Sequence, residues 1–114
     1  MTLQDIVEKL QLQVLTEPKD FGKVTPAAGY ASDLLSCVMS GAKHGGVWVT
    51  LQAHGNIVAV AALLELAAVI ITENAKPDPA TVARANEQGV TLLSAVEPSF
   101  AVVGKLWEMG LREG

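Results

Sequence analysis

Apolar residues along this chain gather into short, unbroken runs set between polar segments rich in glycine, proline, serine and threonine. Four runs have strand length: "LQVL" at 12–15, "VWVTL" at 47–51, "AVIIT" at 68–72 and "VTLLS" at 90–94. Short, continuous apolar runs of this kind are what burial on both faces of a parallel sheet requires. Helix-length segments lie around them. Thr2 with Asp5 three residues on has the form of a capping box and opens a helix through about Leu10. Ser32 stands at the cap of a second helix, with Leu34, Leu35, Val38 and Met39 on one face. Asn56 caps an apolar helix over 57–66, and Pro79 opens another that Gly89 closes. Pro98 opens a last helix that carries Phe100, Val103, Leu106 and Trp107 inward and ends at Gly110. The 15-residue stretch "TEPKDFGKVTPAAGY" (16–30) reads as a long loop, a length often tied to function or mobility. Strands alternating with helices favour right-handed βαβ crossovers. The expected fold class is α/β, with three layers around a small, mainly parallel sheet of about four strands.

The four runs place Thr16, Thr50, Thr72 and Ser94 near their C-terminal ends. If all four strands run the same way, these hydroxyls share the edge where open parallel sheets bind ligands. Two readings stay open, binding donors or the ordinary turn formers that follow strands. The stretch "VTLQAHGN" (49–56) poses the same choice, because a buried strand meets a buried helix across a knot of polar side chains. As a ligand site, it offers free amides at the start of the 57–66 helix, whose dipole favours a phosphate or carboxylate, and Gly55 for close approach. Thr50, Gln52, His54 and Asn56 supply donors around that point, and Thr72, Glu73 and Asn74 border it from the next strand. Glu73 opposes an anion unless it grips a ribose or an amine. As a plain corner, Asn56 is an N-cap and Gly55 a turn residue. Tyr30, Ser32 and Asp33 form a further polar group, with ordinary roles as loop anchor, cap and first-turn charge.

Composition narrows the options. The chain has 114 residues, half of them hydrophobic and only 18% charged. It is sized for one domain, and its scarcity of surface charge suits a partner subunit covering apolar area, so a homodimer is expected. A net charge of −4 and scattered basic residues argue against nucleic acid, whose affinity comes from clustered Lys and Arg. Cys37 is the only cysteine, which rules out an intrachain disulfide and a cysteine-based zinc site, and its helical position suggests a small buried thiol. The run at 57–72 falls short of the roughly 20 apolar residues that span a bilayer and contains Glu65, so no membrane segment is expected. The acidic start "MTLQDIVEKL" lacks the basic region of a signal peptide, which points to a cytoplasmic protein.

The stretch "GYASDLLSCVMSGAKHGGVWVTLQAHGNIVAVAALLELAAVIIT", followed by "LLS" and "SFAVVGKLWEMG", resembles the small stand-alone DRTGG-domain proteins, themselves similar to the N-terminal domain of HPr kinase/phosphorylase. The resemblance covers roughly residues 12–111 and implies a single DRTGG-like domain over 1–114 with the HPr-kinase N-terminal fold. In that family the module is attached to phosphotransacetylases, is found in CBS-containing pyrophosphatases, or stands alone near iron-only hydrogenase genes. A regulatory or ligand-binding role is what the resemblance implies, with no cofactor. The letters that name the family are not kept. Gln52, Ala53 and His54 align where many members read Gly-Asp-Arg, and Thr72, Glu73 and Asn74 where they read Thr-Gly-Gly, so only the threonine carries over.

Phosphoryl transfer needs a phosphate-cradling glycine loop with a lysine, and "GAKHGG" (41–46) is not one. His44 and His54 alone fall short of a zinc ligand set. Cys37 and Ser36 lack a paired base. The expectation is therefore a non-enzymatic regulatory, ligand-sensing or adaptor domain. Its candidate ligand is small and anionic or nucleotide-like, bound at the C-terminal edge of the sheet by Thr50, Gln52, His54, Gly55, Asn56, Thr72, Glu73 and Asn74. The alternatives are an enzyme acting on a phosphorylated substrate, with His54 and Glu73 as its acid–base pair, and a protein partner in hydrogenase-related assembly.

Overall fold

The computed structural model describes residues 1–114. Thr2 opens α1 (Leu3–Leu10) with the expected capping box: its hydroxyl accepts from the Asp5 amide, and the Asp5 carboxylate accepts from the Thr2 amide. Leu3, Ile6 and Leu10, spaced for one helix face, are buried. The strands are β1 (Gln13–Val14), β2 (Gly29–Ala31), β3 (Val47–Thr50), β4 (Ala68–Ile71) and β5 (Leu92–Ser94). Between and after them run α2 (Leu35–Gly41), α3 (Asn56–Leu63), α4 (Pro79–Gln88) and α5 (Ser99–Glu108). They form one sheet in the order β1-β5-β4-β3-β2, parallel throughout except for β1.

Alternation along the strands divides the core in two. Val47, Val49, Ala68, Ile70 and Leu93 face α1 and α5, while Trp48, Val69, Ile71 and Leu92 face α2, α3 and α4. Every residue of β3, β4 and β5 is buried, as the unbroken apolar runs predict. The fold is a three-layer α/β arrangement around a mostly parallel five-stranded sheet. No helix is long and apolar enough to cross a membrane.

The structure corrects several expectations. The long loop contains a 3-10 turn (Phe21–Lys23) and the whole of β2, a strand whose Gly-Tyr-Ala sequence carries no β-branched signal. The first strand runs antiparallel to β5. Thr16 therefore leaves the shared rim and accepts a hydrogen bond from the Leu92 amide, where β5 begins. Helix α2 starts three residues after Ser32. The Ser32 hydroxyl accepts from the Leu34 amide, and of the apolar set only Val38 is fully buried, with Leu34 and Met39 exposed. Cys37 is exposed, not buried. Tyr30 is a strand residue, and its ring lies under α2, so close that a Cβ at Gly41 would stand 2.5 Å from it. In α5, Val102 and Leu106 face the core, whereas Phe100 and Trp107 turn outward at 93% and 48% exposure. Residues seven apart share a helix face, and here that face lies beside the buried one.

Candidate functional site

Three of the rim hydroxyls do gather at the C-terminal ends of the parallel strands, and each already has a partner in the chain. Thr50, 1% exposed, donates to an Asp33 carboxylate oxygen at 2.8 Å, and the same oxygen accepts from the Leu51 amide at 2.8 Å. The Gln52 amide then donates to the Thr50 hydroxyl, and its side chain donates to the Asp33 carbonyl. Asp33 thus ties the end of β3 to the segment after β2, in place of the first-turn charge expected of it. Thr72 pairs with the Ser99 hydroxyl at 2.5 Å, and the Glu73 carboxylate accepts from the Ser99 amide, capping α5. Glu73 and Asn74 adopt left-handed conformations, φ 61° and 56°, held by bonds from their amides to the carbonyls of Glu97 and Ala95. Ser94 accepts from the Lys76 ammonium at 2.9 Å.

The remaining corner is different. His54, Gly55 and Asn56, at the start of α3, face Asp78, Thr81 and Arg84, at the start of α4, across a polar cleft of about 240 Å³. A Cβ at Gly55 would lie 3.4 Å from the Thr81 hydroxyl and 3.5 Å from an Arg84 nitrogen, so glycine is what lets α4 come this near. Arg84 belongs to none of the molecule's three ion pairs, which leaves its five donors turned to the cleft and to solvent. Asp78 caps α4, accepting from the Thr81 amide at 2.8 Å. That bond from the Thr81 backbone, with one from its side chain and the nearby positive charge of Arg84, holds the Asp78 carboxyl below its ordinary range.

Asn56 does not cap α3. It is the first helical residue, Gly55 takes the cap position, and the Asn56 amide donates to His54 Nδ1 at 3.2 Å. The Ile57 and Val58 amides donate to the carbonyls of His54 and Gly55. The amides expected to await an anion thus have acceptors, and the cleft's positive charge comes from Arg84. Of the eight candidates, the structure brings His54, Gly55 and Asn56 together. Thr50 and Gln52 belong to the Asp33 knot, Thr72 and Glu73 to the α5 cap, and Asn74 stands exposed beside them. Sequence reading missed Asp78, Thr81 and Arg84. Their one signal was the spacing Asp-x-x-Thr-x-x-Arg from the proline-marked start of a helix, which lines three polar residues along one side.

The chain matches no protein-family model and no curated protein. Among solved structures, it is similar to the CBS and DRTGG domains of the regulatory region of Clostridium perfringens pyrophosphatase, a structure in complex with the activator diadenosine tetraphosphate. The TM-score is 0.74 over 90% of this chain at 16% sequence identity, and the chain spans 44% of that structure's length. The likeness supports a DRTGG-like fold.

Proposed function

We propose that residues 1–114 form a single DRTGG-like domain that acts as a non-enzymatic, ligand-sensing regulatory module, binding a small anionic or nucleotide-like ligand in the cleft between α3 and α4. The observation that carries this reading is the unpaired Arg84 guanidinium facing His54 and Gly55 at the C-terminal edge of a parallel sheet. A guanidinium matches a phosphoryl group in charge and fork geometry. Asn56 adds neutral donors, and Asp78 can accept from sugar hydroxyls. At about 240 Å³ the cleft holds a phosphoryl group with part of a sugar and leaves the rest of a larger ligand outside. The regulatory region of the similar pyrophosphatase was solved with a dinucleotide activator, which suits the same class of ligand here. The suggested acid–base pair finds no support, because Glu73 caps α5 and His54 turns its Nδ1 to Asn56. We also infer a homodimer, from the apolar side chains left exposed.

Isothermal titration of the protein with inorganic phosphate, AMP, ATP and diadenosine tetraphosphate tests the reading. Binding of at least one, abolished in Arg84→Ala and kept in Lys9→Ala, is the expected result. No heat from any of the four, or equal binding by Arg84→Ala, refutes it.

A further inference from the structure

The corner between α5 and β2 leaves apolar surface uncovered. A second hollow of about 290 Å³ lies there, and its apolar lining includes Ala31 and Val49 from the sheet with Val103, Leu106 and Trp107 from α5. It exists because outer strand β2 puts only Gly29 and Ala31 beneath α5, where larger residues would fill the space. The sheet edge beside it is open. The Val47 amide donates to the Ala28 carbonyl and the Ser32 amide to the Val49 carbonyl, so the alternation turns Gly29 and Ala31 outward. Gly29 is capped by the Arg112 carbonyl at 2.8 Å, and no loop or tail group reaches the backbone of Ala31.

Along the outer side of α5 run Phe100, Val103, Gly104 and Trp107, at helical spacing. Nothing in the chain explains glycine at 104, since a Cβ there would meet no atom within 4 Å. A mid-helix glycine weakens the helix, and its benefit is a flat spot on which another backbone can come close. Phe100 and Trp107, at 93% and 48% exposure, together show on the order of 300 Å² of aromatic surface. That is more than a third of the roughly 800 Å² that each partner buries in a stable interface.

We propose that this stripe docks against the same stripe of a second copy, the two α5 helices antiparallel about a two-fold axis passing between Val103 and Gly104. The proposal rests on the homodimer reading above and names its surface. The order along the helix is self-complementary. Turning it end for end sets Phe100 against the copy's Trp107 and Val103 against its Gly104, as a two-fold interface requires. Charge does not oppose the contact. Glu97 and Lys105 are paired within the chain at 2.6 Å, and the Arg112 guanidinium lies 4.4 Å from the centre of the Trp107 ring. The Glu97–Lys105 pair carries no net charge, and the exposed Glu108 at the end of α5 offsets Arg112.

The test is sedimentation velocity at micromolar concentration, together with oxidative crosslinking of Gly104→Cys in a Cys37→Ser background, using copper phenanthroline to take up the two electrons released as one disulfide forms. The expected results are a wild-type dimer, a monomer for Phe100→Asp, an unchanged dimer for Leu63→Asp on the outer side of α3, and near-complete crosslinking of Gly104→Cys that Phe100→Asp abolishes. A dimer that neither crosslinks at 104 nor responds to Phe100→Asp overturns this interface and leaves the homodimer reading intact. A monomeric wild type overturns both. Phosphate titration of Phe100→Asp keeps the cleft separate, because binding there is expected to persist in the monomer.

Discussion

Where the end of β4 meets the start of α5, Thr72, Glu73 and Ser99 use their hydrogen-bonding capacity on one another, and where β3 leads into α3, His54, Asn56, Thr81 and Arg84 border an open cleft. Both corners lie on the same sheet edge and draw on the same polar residue types. What separates them is the distance between helix starts. Helix α5 begins within hydrogen-bonding reach of Thr72, so its cap and the rim satisfy each other. Helices α3 and α4 begin side by side, each with its own local cap, which leaves long polar side chains between them. Polarity at the end of a parallel strand is thus weak evidence of a site, and an unused donor count is stronger evidence.

Substitutions can break that contrast in a graded way. The largest loss is expected from Asp33→Ala, which strips the acceptor from buried Thr50 and from the Leu51 amide, and should lower stability by about 2–3 kcal/mol. A urea midpoint unchanged from wild type would show that water replaces the carboxylate. Next comes Thr72→Val, which leaves the Ser99 hydroxyl unpaired and should cost about 1–2 kcal/mol without altering phosphate binding. Arg84→Ala should reverse that pattern, with stability within about 0.5 kcal/mol of wild type and phosphate binding lost. Titration and thermal melts on the same samples decide it.

The smallest effect concerns pH. Asp78 and Asp5 both have carboxyls lowered from the usual 3.8, Asp78 chiefly by the Thr81 backbone and Asp5 chiefly by the Thr2 backbone. A lowered folded-state pKa gives stability that is present above the unfolded value and lost as pH falls through the folded one. Melting temperatures should therefore decline below about pH 4, and less steeply in Asp78→Asn or Asp5→Asn. Only Asp78→Asn should also tighten phosphate binding at neutral pH, by removing the negative charge beside Arg84. Equal phosphate affinity in the two variants would detach Asp78 from the cleft.

Much of the fold was legible in the sequence, and the failures have physical causes. Strands β3, β4 and β5 were visible because burial on both faces demands unbroken apolar runs, and α1 and α4 because their caps, Thr2 with Asp5 and Pro79 with Gly89, are local chemistry. Strand β2 was hidden because Gly29 and Ala31 disfavour strands, which leaves Tyr30 as a single strand-favouring residue that pairs only through tertiary context. The direction of β1 was equally hidden, since nothing in "LQVL" says which neighbour it will meet. Phe100 and Trp107 were expected inside because aromatic residues at helical spacing usually mark a core, and only α5's rotation over the sheet turns them outward. At the cleft, His54, Gly55 and Asn56 were found because the strand-to-helix junction is sequential. Arg84 was missed because it arrives from a helix one crossover later.

The pairing of β1 with β5 also has a consequence for the order of assembly. Thr16 meets Leu92 across 76 positions of chain, whereas each parallel neighbour joins through a single helical crossover. Bringing the two ends together forfeits more chain freedom than closing any one crossover, so the four parallel strands should nucleate first and the amino-terminal segment should dock last. Pulse-labelled deuterium exchange would then show the amides of Val69 and Ile70 protected before that of Leu15, making the short antiparallel strand a latch on a sheet already formed.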